Sequence, residues 1–197
     1  MQGRSKLENT IPVDEQISRD VVLRSLQETS GKIAEFFDVH HNDLLSSFSE
    51  EMAYYYNLLH KTINREDQVS ISDKDFQSLM LFWTGLNTLL AAMEILRRGY
   101  TKEPQMLLRN ALETFATAYH IHIDQGAYEQ FIKDSENFDS KKSITIVKNV
   151  HSSIGRMYGD LSKNFTHVSG IHSLPHAPPY ATAIGGFFDG EAQEYNI

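Results

Sequence analysis

The residues best suited to chemistry fall in two helical runs. In the first, Arg109, Glu113, Thr117, His120 and Asp124 recur at intervals of three and four, so one line of a helix carries them all. Arg109 and Glu113 are four apart and can pair along that helix. Two readings follow: a solvated stripe with an intrahelical ion pair, or a polar pocket between helices. The second gains weight from the width of the apolar arc, since Leu107, Leu108, Ala111, Leu112, Phe115, Ala118, Tyr119 and Ile121 leave little of this helix for water. The pocket expected there joins Arg109, Glu113 and His120 to Tyr158 and Ser162 from the last helix.

That last helix supplies the second run. If it continues through Thr166, then Arg156, Lys163 and His167 share one face at spacings of seven and four. A cation beside a histidine can hold a phosphate while the imidazole moves a proton, which is the chemistry of metal-independent RNA cleavage. The plainer reading is a solvated basic edge on an acidic protein. His167, His172 and His176 also lie five and four apart, and His40 and His41 are adjacent, but no H-E-x-x-H or C-x-x-C pattern accompanies them. His120 and His122 are two apart and point to different faces. No metal site and no cofactor are expected. Phosphate-loop, dinucleotide and serine-elbow patterns are absent as well.

The elements that must position these residues read as helices. Residues 1–13 are polar and are expected to be loose. From Asp14 to Phe37, Val22, Leu26, Ile33 and Phe37 share a face, with Gly31 as a place to break or bend. A second amphipathic helix spans about residues 43–63. Ser72-Asp73-Lys74-Asp75 is a cap signature, and the helix from there to Arg98 is apolar nearly all round. Its small residues Thr84, Gly85, Thr88 and Ala92 invite a close neighbour. Gly99 suits a left-handed helix end, and Thr101 with Pro104 suits the next start. A long helix is expected over 140–165, where Gly155 and Gly159 permit a tight crossing. From Val168 the periodicity stops, leaving an irregular Gly/Pro/aromatic tail over 168–197 that reads as truncated at its end. The expectation is one all-α bundle over 14–167.

Composition narrows the function classes. The chain has 197 residues and a formal net charge of -8, which disfavours broad attraction to nucleic acid or anionic membrane. It has no cysteine, which excludes disulfides and thiolate metal sites. No signal peptide and no membrane span are read from the sequence, so the expected location is cytoplasmic.

The run R-R-G-Y-x(8)-R-N-A-L-E, followed by Y-G-D-L-S-K-N-F-T-H-V-S, resembles the HEPN-like helical proteins, and most of all their poorly characterised bacterial branch. The likeness covers residues 72 to 169. It implies a bundle of four or five helices, often dimeric. Active members cleave RNA with an arginine, a polar residue and a histidine four to six positions later, and many act in toxin–antitoxin or phage-defence systems. Here the positions four to six before His167 are Lys163, Ser162 and Leu161, with no arginine until Arg156. Lysine is a point charge without the planar fork that grips a phosphate. The expected function is therefore a dimeric, non-catalytic interaction or ligand-binding module, with a protein or RNA as partner. The alternative is metal-independent RNA cleavage by His167, Lys163 and Arg156.

Overall fold

The computed structural model describes residues 10–12, 19–64, 71–163 and 181–183. In chain order these form β1 (Thr10–Pro12), α1 (Arg19–Arg24), a π-helical stretch (Ser25–Thr29), α2 (Ser30–His40), α3 (Asn42–Ile63), α4 (Asp73–Arg97), α5 (Glu103–Ile123), α6 (Gln125–Lys133), α7 (Ser140–Val150), α8 (Ser152–Leu161) and β2 (Ala181–Ala183). The class is all-α. β1 and β2 form one short antiparallel ladder with Thr10 opposite Ala183, so three residues of the expected irregular tail are paired with the N-terminal segment.

α4 and α5 are the frame. Ser72 starts α4: its Oγ accepts the Asp75 backbone N–H at 3.2 Å while its hydroxyl donates to Asp75 Oδ2 at 2.7 Å. Gly99 ends it, with φ 84, and the Tyr100 amide reaches back to the Ile95 carbonyl. α5 begins later than Thr101 suggests. Lys102 holds the cap position without a side-chain cap, and Pro104 stands in the first turn, where its missing N–H costs nothing. The two helices approach closely at Gly85, where a Cβ would lie 2.4 Å from Phe115 Cε1. Ser78 adds a buried bond from its hydroxyl to the Ala118 carbonyl at 2.6 Å.

α5 has a core on each side. Met52 and Leu59 of α3 and Leu86 of α4 form one, with Phe82, Trp83 and Phe115 packed on it. Ala116 of α5 with Ile144 and Val147 of α7 forms the other, joined by Leu112, Ile154 and Tyr158. α2 buries Ile33 and Phe37 completely. It is fastened to the end of α4 by Asp38, whose carboxylate takes two bonds from the Arg97 guanidinium at 2.7 and 2.5 Å. That fork holds the Asp38 carboxyl below the usual carboxylate range.

Three expectations need correction. The first helix widens at Ser25–Thr29, ahead of Gly31, which lies inside regular helix. The expected single helix over 140–165 is two helices, because His151 takes an extended conformation (φ -132, ψ 91) and no proline marks the break. Gly159 mediates no close helix contact, since a Cβ there would meet nothing within 4 Å, and at Gly155 the nearest atoms belong to the flexible Lys148 side chain of α7 rather than to backbone. The close crossing belongs to Gly85. By length and composition α4 would also suffice to cross a membrane, as core helices of soluble proteins often do.

Candidate functional site

α7 and α8 cover most of the polar line of α5, while Asp124 at its end stays exposed. Arg109 and Glu113 pair at 2.8 Å with about a fifth of each side chain exposed. α8 brings Tyr158 and Ser162, themselves four apart, onto this pair. Arg109 Nε donates to Ser162 Oγ at 3.0 Å, and its NH2 donates to the Tyr158 hydroxyl at 3.0 Å. The Tyr158 hydroxyl in turn donates to Glu113 Oε1 at 2.7 Å. The guanidinium carbon also stands 5.2 Å from the centre of the Tyr158 ring, within cation–π range.

Arg109, Glu113 and the Tyr158 hydroxyl thus close a ring of contacts across the α5–α8 contact, with Ser162 attached to it through Arg109 Nε. Chemically the arrangement is a tie. Its charges cancel and its donors are directed at one another, so Arg109 is committed to partners inside the chain.

His120 lies elsewhere. It is eleven residues along α5 from Arg109, about 16 Å at the helical rise, and does not join the Arg109 network. It is 1% exposed, with Nδ1 3.0 Å from Ser143 Oγ of α7 and the Phe138 ring 5.7 Å away. Its Nε2 is buried and meets no hydrogen-bond partner among the described residues. Burial pushes its pKa down, Lys142 pushes it further, and Asp124 opposes weakly. Thr117, on the same line, is buried too.

Of the phosphate-handling candidates, Arg156 and Lys163 are exposed and take no part in the Arg109 network. His167 lies outside the described residues, as do His172 and His176. His122 diverges from His120: its Nδ1 meets Asp75 Oδ1 of α4 at 2.9 Å. The two histidines thus take partners on different helices.

The His122–Asp75 pair borders a cleft of about 550 Å³ that the sequence did not reveal. It opens where the last turns of α3 and α5 meet the first turn of α4. Leu79, Phe82 and Phe115 supply its apolar surface, while Thr62, Ser72 and Tyr119 supply hydroxyls. Asp75 is held below the ordinary carboxylate range, chiefly by the Ser72 hydroxyl and then by His122. No periodic signal joins residues 47 apart, although Ser72 and Asp75 were legible as a helix start.

Comparison with known proteins gives no matching family model, no matching curated protein and no matching solved structure.

Proposed function

We propose that this chain is a HEPN-like helical protein of the cytoplasm that works as a dimeric, non-catalytic interaction module, self-associating through the outer face of α4. The observation that carries the reading is the exposure of α4. Phe76, Met80 and Leu90 are 38–47% exposed on a helix that has no charged residue between Asp75 and Glu94. Exposed apolar side chains grouped on one uncharged helix face mark an interface more often than a solvated surface. The fitting occupant is a second copy. The exposed side of that uncharged stretch is matched by itself, and antiparallel pairing brings the Asp73 end of one copy to the Arg98 end of the other.

Light scattering of the purified chain at micromolar concentration tests the reading. The expected mass is twice 22.5 kDa, and Met80→Glu, which places a charge on the uncharged face, is expected to give monomers with the melting temperature kept. A monomeric wild type overturns the self-association, as does wild-type protein that floats with phosphatidylcholine vesicles through α4. Ribonuclease activity that disappears in His167→Ala overturns the non-catalytic part and favours the cleaving alternative.

A further inference from the structure

The cleft between α3, α4 and α5 is separate from both the Arg109 tie and the outer face of α4: neither Arg109 nor Phe76, Met80 or Leu90 lines it. Its volume falls in the range of small-molecule sites, roughly 300–1,000 Å³, and it has their usual make-up of an apolar surface with a few convergent polar groups. The polar groups specify a charge. Among the described residues of the lining, Asp75 and His122 are the only titratable side chains apart from the Tyr119 phenol, so with the imidazole neutral the described lining carries a net charge of -1. A carboxylate offers about four acceptor directions. Within the chain, Asp75 accepts one bond from the Ser72 hydroxyl and one from His122 Nδ1–H, which leaves acceptor capacity at the mouth of the cleft. In the neutral imidazole that hydrogen bond leaves the other ring nitrogen as an acceptor.

An anionic guest would face the carboxylate, and a metal ion would find too few ligands. A positively charged amine finds an ionised acceptor, a neutral acceptor and, in Phe82, Phe115 and Tyr119, ring faces that attract cations.

We propose that this cleft is a binding site for a small apolar amine, its hydrocarbon body on Leu79, Phe82 and Phe115 and its ammonium group on Asp75 beside His122. The inference goes beyond the self-association reading and stands or falls separately, since it requires no second copy.

Calorimetric titration of the full chain at pH 8 with three molecules of one hydrocarbon body tests it: 4-phenylbutylamine, 4-phenylbutan-1-ol and 4-phenylbutyrate. The amine is expected to bind tightest, with the acid weaker by about tenfold or more, as loss of a charge-assisted hydrogen bond implies. Asp75→Asn is expected to bring the amine down to the alcohol's affinity. That variant keeps the Ser72 cap, because Ser72 Oγ accepts from the backbone amide of residue 75. Ala118→Phe is expected to fill the cleft and abolish binding of all three. Should that variant fail to fold, methyl spectra of the wild type decide: added amine must move Ile71 and Leu79 and leave Val150 still. Equal affinity for the three heads, no saturable binding at millimolar concentration, an unchanged Asp75→Asn, or shifts at Val150 instead would each overturn the proposal.

Discussion

At the scale of single residues, the Arg109 network shows why a polar line on an apolar helix need not be a reactive site. Each member answers another: Glu113 balances Arg109, Tyr158 bridges them, and the Ser162 hydroxyl oxygen accepts the hydrogen bond from Arg109 Nε–H. Tyr158→Phe keeps the ring and its cation–π contact but removes the bridging hydroxyl, so a loss of about 1 kcal/mol is expected from chemical denaturation. Glu113→Ala is expected to cost more, about 1–3 kcal/mol, because it leaves the guanidinium short of its counter-charge. Solvent reaches about a fifth of each partner, which keeps this below the cost of breaking a fully buried pair. A double-mutant cycle on Glu113 and Tyr158 should show coupling; strictly additive effects would mean the ring of bonds does not act as a unit. Arg109 and Glu113 were legible together because helical spacing brings them together. That Tyr158 and Ser162 complete the network depends on how α8 docks, which no spacing within α5 encodes.

Elements carry the next lesson, and glycine makes it measurable. Spacing alone could not rank Gly85, Gly155 and Gly159, since all three sit in helices at positions that permit close approach. The neighbour decides. Gly85→Ala gains about 1 kcal/mol of helix propensity but forces a methyl against the Phe115 ring, itself held 4.8 Å from Phe82. Overpacking of that kind costs about 1–3 kcal/mol, so the variant is expected to melt lower. Gly159→Ala meets nothing and takes ordinary helical backbone, so it is expected to melt higher, by the equivalent of about 0.5–1 kcal/mol. If both variants move in the same direction, the α4–α5 contact at Gly85 is not as tight as described. The same limit explains the missed break at His151. Val147, Ile154, Tyr158 and Leu161 keep helical periodicity across it, so the pattern reads through a residue that the chain leaves extended.

For the whole molecule, acid tests how the buried histidine and the surface charge compete. The net charge of -8 falls toward zero as pH drops from 7 to the isoelectric point near 5.5, which relieves self-repulsion and on its own would stabilise the fold. His120 acts in the opposite sense. Its folded pKa lies below the ordinary value of 6.5, through burial and the nearby Lys142. Between those two pKa values the unfolded chain binds a proton that the folded chain refuses, so stability is full above 6.5 and declines as pH falls toward the folded value. Asp38, Asp75 and Asp124 have folded pKa values below 3.8, so their contribution persists until pH falls below 3.8 and then declines as they protonate. Two separate windows result. The wild type is expected to melt progressively lower as pH falls from 6.5 toward the folded pKa of His120, and to lose stability again below 3.8. His120→Gln, which retains a polar group toward Ser143 and cannot take up the proton, should flatten the upper window and leave the lower one intact. Melting curves of both proteins across pH 3 to 8 measure this directly. An upper slope that His120→Gln leaves unchanged would assign the titration to another group and remove His120 from the account of acid stability.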